Sequence, residues 1–166
     1  EITCRDWSSD VCSSDLSIAG LIGWLAVTFA VAWFGSQFMP GQWYDGLNKP
    51  SWTPPSVVFG PVWTFLYAAM AFAAWLVWRR FGFYGAGGAL GFYILQLILN
   101  GAWSWLFFGQ HQILYALVDI SALLIVIIIT MILFHRRVPL AGWLFVPYVL
   151  WVAYASTLNF AIWRLN

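Results

Sequence analysis

Apolar runs long enough to cross a bilayer, separated by short polar breaks, organise this chain. A spanning helix needs about 20 mostly apolar residues. Five stretches reach that length: about 17–38, with no charge in it; about 56–78, closed by Arg79 and Arg80; about 89–108, opened by a Gly85-Ala86-Gly87-Gly88 run that predicts a flexible turn; about 113–134, closed by His135, Arg136 and Arg137; and about 141–163, closed by Arg164. Backbone polar groups in hydrocarbon must be paired within the segment, and the spacing of Trp and Phe lacks the alternation of a barrel strand. The pattern therefore predicts an all-α protein, a five-transmembrane-helix bundle over residues 17–166, with no second domain and no soluble lobe. Pro147 is expected to kink the fifth helix.

The polar break between the first two runs is unlike a simple linker. It reads Trp43-Tyr44-Asp45-Gly46-Leu47-Asn48-Lys49-Pro50-Ser51-Trp52-Thr53-Pro54-Pro55, followed by Phe59-Gly60-Pro61-Val62-Trp63. Its prolines fix φ and push the residues before them toward extended backbone. Its large amphipathic rings suit a membrane–water boundary. An interfacial anchor and a lid over a pocket both use such residues. The basic residues suggest an orientation: Arg79, Arg80, Arg136 and Arg137 share the side of the N-terminus, against Lys49 and Arg164 on the other. Positive charge favours the inside, which predicts the N-terminus inside and loop 43–55 outside.

Composition sharpens this picture. Of 166 residues, 63% are hydrophobic and 8% charged, against about 25% charged in soluble domains; the chain is an integral membrane protein. The 13 Trp and 14 Phe exceed what helix packing needs and imply a pocket of flat rings, interfacial belts, or both. A net charge of +1 gives no general affinity for polyanions, so nucleic acid is not a partner. Residues 1–16 are discordant, with five of the thirteen charged residues, four serines, and both cysteines, Cys4 and Cys12. Their sequence resembles a translated sequencing adapter, so we expect this segment to be non-native and the native start to be missing. The cysteines then carry no information on metals or redox compartment. The solitary His111 and His135 near helix ends form no metal cluster, and no nucleophilic or phosphate-binding motif is present.

Polar groups inside membrane helices are candidates for function. Helical spacing aligns Phe59, Trp63 and Tyr67 in the second segment, and Gln96, Asn100 and Trp103 in the third. It also aligns Tyr115, Asp119 and Ala122 in the fourth, and Trp151, Ala155 and Leu158, with Asn159 beside them, in the fifth. Convergence of these faces would create a cavity with flat walls and a few hydrogen-bonding groups, suited to a large planar ligand. Each has a plainer reading. Gln96 and Asn100 are also the polar residues that join helices to one another. Asp119 is either a proton site or a structural acceptor, with Tyr115 one turn away. Ala122, Ala153 and Ala155 permit close packing or ligand room. Gly87 and Gly91 have the spacing of a helix-dimerisation motif.

Taken together, these motifs resemble the TspO/MBR family, the tryptophan-rich sensory and translocator proteins. The matching residues are Trp43-Tyr44 through Leu47, Lys49-Pro50, Trp52 and Pro54-Pro55; Gly60-Pro61-Val62-Trp63 with Leu66-Tyr67; Gln96-Leu97 with Asn100, Trp103 and Phe107-Phe108-Gly109; Ala116-Leu117 with Asp119; Pro147-Tyr148 with Trp151; and Leu158-Asn159 with Trp163-Arg164. The resemblance implies a five-helix bundle, usually a homodimer, in a bacterial membrane. It implies a pocket below the first loop that binds porphyrins and other tetrapyrroles as ligands, with no cofactor required. The carried-over ligand positions are Trp43 and Trp52 in the lid, Trp63, Asn100, Trp103, Tyr115, Val118, Ala122, Trp151, Ala155 and Leu158. The expected role is sensory or regulatory, with porphyrin transport; some members are credited with light- and oxygen-dependent degradation of protoporphyrin IX, for which Trp63 and Trp151 would be the reactive side chains. Lipids and sterols are further expected partners. Phe160, however, stands where the sterol motif of mammalian members has Tyr, and it offers no hydroxyl. Tyr115 replaces a Trp and Ala122 a Leu of those members.

Overall fold

The computed structural model describes residues 5–38 and 40–166, with side chains from Leu16 onward. The reading of residues 1–16 as non-native, and the two cysteines with it, therefore falls outside the described side chains. Helix α1 spans Arg5–Ser36 and α2 is the short Gln42–Asp45. A 3-10 turn at Ser56–Val58 leads into α3, Phe59–Ser104, which continues as a π-helix at Trp105–Gly109. Then follow α4, Ile113–Arg137; the short α5, Pro139–Trp143; and α6, Val146–Leu165.

Four described stretches are long and apolar enough to cross a membrane: Leu16–Ser36, Ser56–Gly109, Ile113–Arg137 and Pro139–Leu165. The second has 54 residues, which straight would run roughly 80 Å, far beyond the hydrocarbon thickness of about 30 Å. It is folded back at Gly82, whose φ of 63° and ψ of −173° break the helix. Its arms, 59–81 and 83–104, lie side by side, and the Tyr67 hydroxyl donates to Asn100 Oδ1 across them. The bundle therefore has five crossings, as the apolar pattern predicts.

One local expectation is corrected and another is located. The chain turns at Gly82, whereas Gly85 to Gly88 are helical. Gly82 holds a backbone conformation that is essentially glycine's alone. The later run stays helical because Ala86 and Ala89 are buried in the bundle. Pro147 interrupts the fifth segment as expected: within the span Pro139–Leu165 the helix is broken in the turn before it, where its missing N–H and ring cannot continue the ladder. The break is upstream, at Leu144 and Phe145.

Ring packing and polar bonds fix the arrangement. α1 lies over both arms of α3: Trp75 Nε1 donates to the Ser17 carbonyl at 2.8 Å, and Thr28 Oγ1 lies 2.6 Å from the Tyr93 hydroxyl. Tyr93 stacks on Phe134 of α4 with centroids 6.0 Å apart. Asn159 of α6 accepts from Trp103 Nε1 at 3.1 Å and donates to the Ile113 carbonyl at 3.1 Å. Trp63 meets Tyr148 at 6.2 Å and Phe59 meets Trp151 at 5.7 Å, closing the circle between α6 and the first arm. Arg137 Nη2 donates to the Gly85 carbonyl at 3.4 Å at one end of the bundle, while Asn48 bonds to Asn166 at the other. The π-helix appears as a Gln110 N–H donating to the Trp105 carbonyl at 2.8 Å, five residues back.

Candidate functional site: an aromatic interior beneath a pinned loop

Four side chains from three membrane-spanning segments form one directed hydrogen-bond chain in the interior. Tyr67 donates to Asn100 Oδ1; Asn100 Nδ2 donates to the Tyr148 hydroxyl at 2.9 Å; Tyr148 donates to Gln96 Oε1 at 2.9 Å. Each donor is consumed in turn, so Gln96 Nε2 is left buried with no partner. Such residues are costly in hydrocarbon unless paired, and their pairing locks three segments together. Of their two expected uses, Asn100 and Gln96 take the interhelical one.

Trp63 lies over this chain, 5.5 Å from Tyr67 and 6.2 Å from Tyr148. Trp151 is half-buried beside Phe59, and its Nε1 is enclosed without an acceptor. Trp63, Trp103, Trp151 and Ala155 all pack against the same buried core. Toward the loop end, Trp103 also joins a second cluster with Phe107, Leu158 and Trp43. Trp103 is thus the link between the interior and the loop.

Loop 42–55 is held at three places. The Trp43 ring stacks on His111 at 4.1 Å and meets Phe107 edge-on at 5.9 Å. Asn166 Nδ2 donates to the Asn48 carbonyl at 3.0 Å, and the Asn48 N–H donates back to Asn166 Oδ1 at 3.0 Å. The Tyr154 hydroxyl donates to the Trp52 carbonyl at 2.8 Å. Lys49 Nζ donates to the Tyr44 carbonyl at 2.9 Å and sits 4.3 Å from the Tyr44 ring centre. Burial, then the nearby Asp45 and Tyr154, push the Tyr44 phenol above its ordinary range, so the ring stays neutral under Lys49. His111 takes a left-handed φ of 57° to reach Trp43.

A groove of about 760 Å³ runs between the first arm of α3 and α6, below Pro54. Pro61, Val62, Phe65 and Leu66 form one wall, and Pro147, Leu150, Trp151 and Tyr154 the other. Phe65 and Leu150 are exposed at its rim, while Leu66 is buried at its floor.

The structure gathers only part of the set expected from sequence. Asn100 is buried, Trp63, Trp103, Trp151 and Ala155 pack against the main core, and Leu158 and Trp43 lie in the adjoining cluster. Trp52 is exposed and lies against Tyr154, 5.7 Å away, so it covers the groove end instead of the interior. Tyr115 and Val118 are 64% and 62% exposed, and Ala122 is exposed with them. These three lie on the outward face of α4; its inward face is Ala116, Ile120, Leu123 and Ile127. The expected convergence of four faces is therefore a convergence of three. Asp119 does not serve as a satisfied acceptor, since its Oδ2 is buried with no partner. Sequence reading missed Tyr93 and Tyr154 altogether, although Tyr93, Gln96 and Asn100 follow helical spacing and Tyr93 could have been found by it.

Comparison with known proteins agrees with this architecture. The TspO/MBR family model matches residues 24–164. The chain is 43% identical to the human Translocator protein over 137 residues, covering 80% of this chain and 81% of that protein. It is 40% identical over 149 residues to the Tryptophan-rich protein TspO of Archaeoglobus fulgidus, covering 90% and 95%. With the Tryptophan-rich sensory protein of Cereibacter sphaeroides it shares 42% identity over 142 residues, covering 86% and 88%. From its five apolar crossings, its proline- and tryptophan-rich loop and these matches, the chain belongs to the TspO/MBR family of multi-pass membrane proteins.

Proposed function

We propose that this protein binds tetrapyrroles, porphyrins in particular, in a sensory or regulatory role that includes their transport. The observation that carries the reading is the Trp63 ring lying against Tyr67 and Tyr148, the two tyrosines hydrogen-bonded to the buried Asn100. Indole and phenol rings beside a few fixed polar groups match a flat macrocycle with polar edges. In this reading Trp43 and Leu158 bound the site on the loop side. Family membership and the names of the relatives support a sensory or translocating role without specifying the ligand. Porphyrin is a ligand here and not a resident cofactor.

The test is quenching of tryptophan fluorescence by protoporphyrin IX in detergent, in the dark. Saturable quenching that weakens with Trp63→Phe or Trp151→Phe, and not with Trp78→Phe, is the expected result. Trp78 packs at the Gly20 end against Phe83, away from the site. Linear quenching in all variants would mean partition into the micelle and would end the proposal.

A second reading, light- and oxygen-dependent degradation of protoporphyrin IX, is favoured by the contiguous rings of Trp63, Tyr67 and Tyr148. Indole and phenol rings in van der Waals reach could pass an electron toward an excited macrocycle, with dioxygen as the oxidant. A new long-wavelength product formed only with protein, light and oxygen would select this reading; bleaching at the rate of free porphyrin would remove it.

We further propose a bacterial membrane with the N-terminus inside and loop 43–55 outside. The support is the placement of Arg79, Arg80, Arg136 and Arg137 at one end of the bundle and Lys49 and Arg164 at the other. Labelling of Lys49 by an impermeant amine reagent in intact cells checks it. A homodimer is proposed through the second arm of α3, where Gly87 and Gly91 are exposed and a Cβ would meet nothing within 4 Å.

A further inference from the structure

We propose that the groove between the first arm of α3 and α6 is the ligand's entrance, opening sideways into the bilayer and ending inside at Trp151. The ligand identity rests on the tetrapyrrole reading; the route rests on three independent features. First, the groove's rim residues Phe65 and Leu150 are 61% and 66% exposed on helices that cross the membrane. Such a rim faces acyl chains, so the groove opens to hydrocarbon and not to water. At about 760 Å³ it lies within the roughly 300–1,000 Å³ range of small-molecule sites.

Second, its walls are built to stay open. Pro61 and Pro147 sit in the first turns of their helices, and Pro54 caps the loop end. Rigid prolines present smooth apolar surface and no N–H that would have to be satisfied in lipid. Among the wall residues a free donor is found at Trp151, whose Nε1 is enclosed without an acceptor. An indole N–H in hydrocarbon favours any carbonyl or carboxyl oxygen that reaches it. In this structure the Nε1 is closed to the groove, so a flat apolar ligand with oxygen at its edge would gain this bond once the Trp151 ring turns to uncover it.

Third, the water-side route beneath the loop is fastened. The Trp43–His111 stack, the reciprocal Asn48–Asn166 pair and the Tyr154–Trp52 bond would all have to open for passage under the loop. Among the described residues no hydrogen bond crosses the mouth of the sideways groove, and passage inward takes a shift of the Trp151 ring.

Stopped-flow quenching with protoporphyrin IX, added to vesicles that already contain the full chain, tests the route. Leu150→Trp and Val62→Trp narrow the groove from opposite walls, and Ile125→Trp adds the same ring on the outward face of α4. Both groove variants should slow association and dissociation together by about tenfold, a barrier change of roughly 1.4 kcal/mol, leaving the dissociation constant within a factor of about two. Ile125→Trp and the loop-releasing Asn166→Ala should keep the parent rates. Parent rates in both groove variants, or faster association in Asn166→Ala alone, would overturn the route while leaving tetrapyrrole binding intact. Absence of saturable quenching in the parent chain would instead overturn the tetrapyrrole reading, and the entrance with it.

Discussion

Tyr148 is the residue on which the interior depends. It accepts from Asn100 and donates to Gln96, so its hydroxyl is the only joint between the two halves of the chain of bonds. Tyr148→Phe keeps the ring and strands Asn100 Nδ2 and Gln96 Oε1 in an apolar surrounding. In a water-soluble core the loss would be about 1–3 kcal/mol for each stranded group. Within a bilayer the unfolded helices also find partners, and single interhelical bonds are worth less, about 0.6 kcal/mol on average. We therefore expect roughly 1–2 kcal/mol in total, read as a lower midpoint in reversible unfolding by added dodecyl sulfate. Gln96→Leu should cost less than Tyr148→Phe, because it removes an already unpartnered amide along with the bond it accepts. Much of this was legible in the sequence. Gln96 and Asn100 announced themselves as polar groups in an apolar run. Tyr67 stood out by its spacing from Trp63 and Tyr148 by its place after Pro147, but neither could be named as their partner, because a tyrosine is as common at a membrane surface as inside a bundle.

For single elements, the sequence was clear about where helices lie and weak on which way they face. The helix α4 is apolar on every side, so no periodicity separates its lipid face from its core face. Tyr115 and Ala122 attracted attention through their ring and small size, yet the buried stripe is Ala116, Ile120, Leu123 and Ile127, one residue further round. Asp119 sits at the flank between the two faces, half-buried, and cannot arbitrate. The turn in α3 shows the same limit. A four-residue glycine-rich run looked like the break, but a single glycine with the right dihedrals was enough. Gly82→Ala meets no steric obstacle; its cost is backbone strain alone, about 1–3 kcal/mol. Gly88→Ala, in the helical run with open space around it and outside the Gly87–Gly91 pair, should be neutral or stabilising by up to about 1 kcal/mol. A pair of thermal melts in one detergent compares them, and equal melting temperatures would remove Gly82 from its role as the hinge of the hairpin.

Across the whole molecule, the loop and the far end of α6 behave as one unit. Asn48 and Asn166 are 118 residues apart in sequence and exchange two hydrogen bonds. Their link could not be foreseen from either residue alone, since asparagine is common in loops and at helix ends. The lid character of loop 43–55, by contrast, was visible in its prolines and rings, and the structure supplies the rings' seats: Trp43 on His111 and Trp52 near Tyr154. Asn166→Ala removes the reciprocal pair and leaves the aromatic contacts. It should raise the rate at which an added protease cuts between Gly46 and Pro50 by several-fold, the response of a segment whose local opening has become easier. Unchanged cutting would mean that the aromatic seats alone hold the loop.

The π-helix at Trp105–Gly109 bears on how the gene can change. A π-turn is an α-helix carrying one residue more than its length requires, and here it contains Phe107, which meets Trp43, Tyr44 and Trp103. A single-codon deletion within this stretch would yield a regular, locally better-bonded helix. Because the bulge absorbs that residue, the flanking turns would keep their direction, and the change would fall on the rings within it, moving Phe107 and Phe108 off the loop's seat. Conversely, an insertion here would find no slack left to absorb it. This short segment should therefore tolerate exchanges of side chain far more readily than any change in its length.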